Sequence, residues 1–167
     1  MLEILVLAAA LFASPEMNKG PSSPPPVVVT REDPNQTGEQ ASAYTGKFYM
    51  ARYEPYRRCV AQREGRWQFW GTGGNGRYQS TFQMEVRLVT GAAWMMGKEL
   101  RQMFGVEQGK VIQHRLLKTK GSHWNRFYMD MAFWTVLNWR GPGAGAHHWA
   151  GGRFSCWVGM KNQGGVE

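Results

Sequence analysis

The chain is short of cysteine. Its 167 residues include only two, Cys59 and Cys156, and these lie far apart in the sequence. They form no C-x-x-C pair, and this spacing argues against a zinc site. Two buried thiols are one interpretation. We favour a disulfide that clamps the first helix to the C-terminal segment, and such a bond implies an oxidising, extracytoplasmic setting.

The N-terminus lacks a hydrophobic run long enough to cross a membrane. Residues 4–13 have the length of a signal-peptide core and are too short for a transmembrane helix. No Lys or Arg precedes them, Glu3 does, and residues 11–13 make a weak cleavage site. Residues 1–13 are therefore either a signal-like segment or a docking tail that stays on the chain.

Residues 1–43 have no Trp and no Tyr, whereas all eight Trp and all six Tyr lie in residues 44–167. The same N-terminal part holds six of the eight prolines. Because so few large apolar groups cannot offset the entropy of ordering by burial, we predict a linker or extended arm at 14–43. One domain then spans 44–167. Residues 1–43 are the part expected to contact virion or cell-envelope proteins.

Acidic groups are scarce in the domain. Residues 1–43 carry two basic and five acidic groups, a net charge of −3, whereas residues 44–167 carry 18 basic and seven acidic groups, a net charge of +11. Such a charge favours a polyanionic partner, and nucleic acid, a teichoic-acid-rich cell wall and an anionic membrane all qualify. The basic residues are spread along the domain and no nucleic-acid motif is present, so the sequence does not favour nucleic acid. The carboxylates of the domain are Glu54, Glu64, Glu85, Glu99, Glu107, Asp130 and Glu167.

The apolar periodicity predicts a mainly α domain with a short loop or β excursion after the first helix. The first helix has a proline in its first turn and Gly65 as its C-cap. Glycines then indicate a loop or short hairpin over 66–80. A helical stripe follows over 86–103 and is expected to be interrupted at Gly91 and Gly97. Further helices are predicted at 111–117 and at 125–139, the latter with Asn125 as N-cap.

Glu64 stands at the predicted end of the first helix. The orphan carbonyls and the negative end of the helix dipole disfavour an ionised carboxylate there. Packing against Trp67 or Phe82 would add desolvation, and both effects are expected to raise the pKa of Glu64. A carboxylic acid that stays partly protonated near neutral pH can protonate a glycosidic oxygen. The alternative is a solvated glutamate paired with Arg63 or Arg66.

Three blocks of sequence together resemble one family. Residues 52–64 place a cysteine-containing helix before Glu64, residues 74–84 read Gly-Asn-Gly-Arg-Tyr-Gln-Ser-Thr-Phe-Gln-Met, and residues 149–157 combine tryptophan with cysteine. In this order they resemble the transglycosylase-like domain of resuscitation-promoting factors, a member of the lysozyme-like superfamily. The resemblance covers roughly residues 52–157.

The resemblance implies a glycosidase acting on peptidoglycan glycan strands. Glu64 would be the general acid that cleaves the β-1,4 bond between N-acetylmuramic acid and N-acetylglucosamine, as a muramidase or as a lytic transglycosylase. Neither Glu85 nor Asp130 is assigned as a second acid. The implied setting is extracytoplasmic, in a secreted enzyme or a phage particle. The alternative is a structural or peptidoglycan-binding protein that keeps the fold and lacks catalysis.

Several residues near Glu64 are candidates for sugar binding. Aromatic rings can stack on sugars and Gln83 can hydrogen-bond an N-acetyl group; the alternative is that most of these rings belong to the core. We expect no cofactor and no metal, because the histidines lack ligand spacing such as H-x-x-x-H. The candidate substrate-binding residues are Trp67, Tyr78, Phe82, Gln83 and Trp149.

Overall fold

The computed structural model describes residues 21, 23–150 and 156–157. The predicted signal-like or docking segment, 1–13, lies outside them. As predicted, the fold is mainly helical, with a small three-stranded antiparallel sheet after the first helix. The helices are α1 (Glu54–Gly65), α2 (Val86–Phe104), α3 (Val106–Lys118) and α4 (Arg126–Asn138); the strands are β1 (Thr72–Gly73), β2 (Tyr78–Gln79) and β3 (Met84–Glu85).

Helix α1 ends one residue later than predicted from Gly65 as its C-cap. Gly65 is the last helical residue, and Arg66 is the C-cap, with a left-handed φ of 49°. The predicted C-cap role of Gly65 is therefore wrong, and the glycine has a different purpose. A Cβ at Gly65 would lie 2.3 Å from the Cα of Thr81. The missing side chain lets the end of α1 pack directly on the backbone between β2 and β3.

The sheet is a meander in the order β1-β2-β3. Gly73 pairs with Tyr78 across the first hairpin, and Tyr78 pairs with Glu85 across the second. Asn75, at the tip of the first hairpin, has a positive φ of 55°, a conformation that asparagine tolerates better than most residues. The glycine-rich stretch thus forms the predicted short hairpin.

Helices α2 and α3 are longer than the sequence indicated. Neither Gly91 nor Gly97 interrupts α2, and α3 begins at Val106, several residues before position 111. The break falls instead at Gly105, whose φ is 84°. Close packing explains Gly97, because a Cβ there would lie 2.2 Å from the Gln113 side chain on α3. Sequence periodicity registers these glycines as helix breakers and carries no information about the neighbouring helix.

Two helical glycines make a matched test of this packing. A Cβ at Gly109 would lie 2.5 Å from the Cα of Arg101, whereas a Cβ at Gly91 would meet nothing within 4 Å. We expect Gly109→Ala to lower the free energy of unfolding by about 1–3 kcal/mol through overpacking. Gly91→Ala is expected to raise it by about 0.5–1 kcal/mol, since alanine favours the helix. Urea unfolding measures both, and equal effects would contradict the packing explanation.

Helix α4 forms the centre of the core, and all of its thirteen residues are buried. As predicted, Asn125 caps it: its side-chain oxygen accepts a hydrogen bond from the Phe127 N–H at 2.9 Å. Phe133 contacts rings from three other parts of the chain, namely Tyr56 on α1, Phe82 and Trp149. The helix therefore connects α1, the sheet region and the C-terminal segment through one aromatic cluster.

The described part of 14–43 lies along the domain as an extended arm. Val28 forms an isolated antiparallel bridge with Trp124, and Thr37 forms another with Gln68. The Ala43 N–H donates to Asp130 at 2.8 Å. These backbone contacts, spread over the length of the arm, fix its course without the large apolar side chains that the segment lacks.

Arg57, Arg126 and Asp130 form a buried charge cluster beneath the arm. Asp130 is 3.1 Å from Arg57 Nη1 and 3.4 Å from Arg126 Nε. The guanidinium groups also donate to backbone carbonyls of the arm, Arg57 to Gln40 at 2.7 Å and Arg126 to Ala41 at 2.6 Å. Burial raises the pKa of Asp130, and the two arginines oppose this shift. The cluster thus connects α1 and α4 to the arm.

Cys59 and Cys156 form a disulfide, with Cα atoms 5.7 Å apart. The favoured prediction is confirmed, and the alternative of two buried thiols is wrong. The bond attaches α1 to the C-terminal segment across 97 residues of sequence. In the described part of the chain, no helix has the length and apolar character needed to cross a membrane.

Candidate active site

Glu64 lies in the last turn of α1, with its side chain 29% exposed. Its Oε1 atom accepts from Arg63 Nε at 2.9 Å and from Arg63 Nη2 at 2.5 Å. This is one of the ion pairs expected for a solvated glutamate. Within the part of the chain that the structure describes, Oε2 makes no protein hydrogen bond. Arg63 therefore holds one oxygen of the carboxylate, Oε1.

Arg63 connects Glu64 to the C-terminal segment. Its Nη2 atom donates to the Trp149 carbonyl at 2.5 Å, and the Trp149 indole N–H donates to the Phe82 carbonyl at 2.9 Å. These two bonds bring together three segments that are distant in sequence: the end of α1, the turn before β3 and the segment that precedes Cys156. They are the three blocks that carried the family resemblance.

Tyr56 lies below this group on α1, and its hydroxyl donates to the Ala146 carbonyl at 3.2 Å. Burial is the main reason that the pKa of Tyr56 is raised; the charge of Arg63 lowers it and that of Glu64 raises it. The hydroxyl therefore stays protonated at neutral pH and acts as a hydrogen-bond donor within the site.

Gln83 and Tyr78 lie in the sheet region that follows α1. The Gln83 amide donates to the Ser80 carbonyl at 2.7 Å, and its oxygen occupies space where a Cβ on Gly73 would lie. Tyr78 is 38% exposed, with the Arg77 guanidinium 5.6 Å from its ring centre. Both side chains keep access to solvent, as binding residues require.

The other predicted binding residues are buried. Phe82 has no exposed surface, and Trp149 and Trp67 are almost fully enclosed. The Phe82 ring packs on Phe133 with centres 4.5 Å apart, so it offers no face to a sugar. These three rings belong to the core beneath the site. This is the alternative given for the aromatic residues, namely that most of them are core residues and do not bind sugar.

Strained backbone concentrates around Glu64. Five non-glycine residues in the described chain have positive φ, and four of them directly follow α1 or lie at the two ends of the turn between β2 and β3, namely Arg66, Trp67, Ser80 and Gln83. Such conformations cost about 1–3 kcal/mol each and cluster at functional sites. Two of these residues, Trp67 and Gln83, were candidates from the sequence. The clustering supports a functional role for the surface that contains Glu64.

The other described carboxylates of the domain have different surroundings. Glu99 and Asp130 are buried and accept hydrogen bonds inside the fold. Glu54 is paired with two arginines of its own helix. Glu85 and Glu107 lie at the N-terminal ends of helices, where a negative charge is stabilised. Among these residues, no group of three or more potential ligands could hold a metal ion.

The link from Arg63 to the C-terminal segment was not predictable from its position in the sequence. An arginine next to a glutamate on a helix ordinarily points away from it, since adjacent residues do not face each other. Here the C-terminal segment supplies the Trp149 carbonyl, which draws Arg63 across the end of α1. The signal in the sequence was the cysteine pair, which indicated that this segment returns to α1.

No protein-family model, curated protein or solved structure matches this chain.

Proposed function

We propose that this protein is a glycosidase of the bacterial cell wall, with Glu64 as its general acid. The main support is the position of Glu64, which lies at the end of α1 and is joined through Arg63 and Trp149 to the turn that carries Gln83. A proton donor, an amide for an N-acetyl group and an exposed tyrosine thereby lie on connected segments. Glycoside hydrolysis requires an acid beside a sugar-binding surface.

In the proposed reaction, Glu64 transfers a proton to the oxygen of the β-1,4 bond between N-acetylmuramic acid and N-acetylglucosamine. The bond from the anomeric carbon to that oxygen breaks, and the oxygen leaves as a hydroxyl. A water molecule, or a hydroxyl of the substrate itself, then attacks the anomeric carbon and gives its proton to the Glu64 carboxylate, which restores the acid. Water gives a reducing end, whereas the internal hydroxyl gives an anhydro sugar. Because Arg63 holds Oε1, Oε2 is the oxygen that would transfer the proton in this proposal.

The charge and the disulfide suit an enzyme of the cell envelope. A domain with a net charge of +11 is attracted to an anionic wall, and this attraction raises the rate of encounter. The Cys59–Cys156 bond persists in oxidising, extracytoplasmic settings. Secretion and incorporation into a phage particle both meet this condition. In either setting residues 1–43 would contact other virion or envelope proteins.

A non-catalytic peptidoglycan-binding protein is the second candidate. The ion pair between Arg63 and Glu64 favours it, because a carboxylate held by an arginine already has a structural partner. In this function the basic domain would hold the protein on the wall, and the carboxylate of Glu64 would only orient Arg63.

Dye-labelled insoluble peptidoglycan separates the two functions. The wild-type protein is expected to release soluble dye in proportion to time, because cleaved glycan leaves the particle. A binder would sediment with the particles and release none. The Glu64→Gln variant, purified in the same way, controls for contaminating hydrolases. Sedimentation without release by the wild type would contradict the catalytic proposal and establish the second candidate.

A further inference from the structure

A cleft lies between the N-terminal arm and the loop that follows α1. Its volume is about 520 Å³, and Glu64 is not among its lining residues. The Phe69 N–H donates to the Gln36 carbonyl at 2.9 Å, and the bridge between Thr37 and Gln68 closes the floor. We call this the arm cleft; the lining residues that matter here are Arg31, Gln36, Arg66, Trp67 and Trp70.

Gln36 is the most informative residue of the arm cleft. Its residue exposure is 0%, and neither atom of its side-chain amide has a hydrogen-bond partner among the described residues. The indole Nε1 of Trp70, another lining residue, is also buried without a partner there. Leaving such groups unsatisfied is unfavourable, so a fold that keeps them beside a roomy cleft is suited to a polar ligand.

Two arginines give the arm cleft its charge. Arg31 comes from the arm and Arg66 from the C-cap of α1, and both are exposed. Neither forms an ion pair with any described carboxylate. Guanidinium groups bind carboxylates and phosphates through paired hydrogen bonds. The partly exposed indole of Trp70 adds the aromatic surface typical of sugar sites, and the buried Trp67 supports it from below.

We propose that the arm cleft binds an acidic saccharide, with Arg31 and Arg66 on its carboxylate or phosphate and the Gln36 amide on its hydroxyl or N-acetyl groups. The site forms only when the arm lies against the domain. It therefore combines residues of the arm and of the domain, two parts of the chain that differ in composition. It is independent of cleavage by Glu64 and would anchor the protein on an anionic glycan whether or not the bond is cut.

Titration calorimetry with three sugars tests the site. N-acetylmuramic acid carries a carboxylate, N-acetylglucosamine 6-phosphate carries a phosphate, and N-acetylglucosamine is neutral. We expect at least one acidic sugar to bind about tenfold tighter than the neutral one, the size of effect that a charged hydrogen bond gives. The tighter of the two acidic sugars identifies which anion the site prefers. Equal affinity for all three would overturn the proposal.

Variants place the binding in the arm cleft. Arg31→Gln combined with Arg66→Gln is expected to remove the preference for acidic sugars, whereas Arg87→Gln, an exposed arginine outside the cleft, is expected to keep it. Glu64→Gln is also expected to keep it, so loss of cleavage and loss of this binding are separate results. Unchanged acidic-sugar affinity in the double variant would exclude this cleft.

Gln36→Leu separates a ligand site from a structural one. Leucine fills similar space without unsatisfied polar atoms, so we expect the melting temperature to stay equal or rise while acidic-sugar affinity falls about tenfold. A lower melting temperature with unchanged affinity would mean that Gln36 serves the fold, through bound water, and would overturn its assignment to the ligand.

Discussion

Replacement of Glu64 by Gln is expected to lower the rate of peptidoglycan cleavage by about 10²–10⁴-fold, the usual contribution of a general acid. Glutamine has the size of glutamate and cannot supply a proton. Its side-chain oxygen can still accept the hydrogen bonds that Arg63 donates, so the link to Trp149 stays in place. The free energy of unfolding is therefore expected to change by less than about 1 kcal/mol, as for a partly exposed ion pair.

Glu107→Gln is the matched control for this variant. Glu107 is 85% exposed and pairs with Lys110 at 2.9 Å on α3, outside the candidate site. The substitution removes one negative charge from the domain, as Glu64→Gln does. A change in cleavage rate that comes only from altered attraction to the wall therefore appears in both variants. Equal cleavage by the wild type, Glu64→Gln and Glu107→Gln would remove Glu64 from the catalytic role.

Replacement of Asp130 by Ala is expected to lower the free energy of unfolding by about 3–5 kcal/mol. The substitution leaves the guanidinium groups of Arg57 and Arg126 buried, with their charges less well compensated. It also removes the acceptor for the Ala43 N–H, and with it one attachment of the arm. Urea unfolding measures the loss, and limited proteolysis is expected to cleave the arm faster in the variant.

Asp130→Asn separates the loss of the charge from the loss of the hydrogen-bond acceptor. Asparagine keeps an oxygen for the Ala43 N–H and loses the negative charge. The free energy of unfolding of Asp130→Asn is therefore expected to lie between those of the wild type and of Asp130→Ala. The surface pair provides the contrast, since Glu107→Gln is expected to cost less than about 1 kcal/mol. If Asp130→Ala also lowered the free energy of unfolding by less than about 1 kcal/mol, the buried cluster would not stabilise the fold as proposed.

The local features of the fold were predictable from the sequence where a short-range signal existed. Pro55 in the first turn of α1 and the Asn125 cap of α4 follow from backbone chemistry that acts within a few residues. Gly97 and Gly65 were misinterpreted for the opposite reason. Each is glycine because another segment approaches it, Gln113 in one case and Thr81 in the other. Propensity carries no information about such neighbours.

The arm shows the same limit. Its composition predicts a segment without a core of its own, and among its described residues Val27 and Val29 are buried apolar groups. The backbone groups of the arm hydrogen-bond to the charged side chains of Arg57, Arg126 and Asp130. These three residues lie outside the arm. The arm cleft could not be anticipated, because it exists only when the arm lies on the domain.

Of the candidate site residues, the sequence did not distinguish the exposed from the buried. Glu64, Tyr78 and Gln83 are each partly exposed. Phe82 and Trp149 are near them and buried. An aromatic residue in a glycine-rich region can stack on a sugar or fill the core, and the choice for both rings depends on Phe133, which belongs to a separate helix, α4.

Mass spectrometry of the soluble products from purified peptidoglycan tests the catalytic role of Glu64 most directly. The wild-type protein is expected to release disaccharide-containing muropeptides cut between N-acetylmuramic acid and N-acetylglucosamine, with a reducing end or an anhydro sugar, and Glu64→Gln is expected to release almost none. Products that carry intact glycan strands, or the same products in the same amount from Glu64→Gln, would contradict that role.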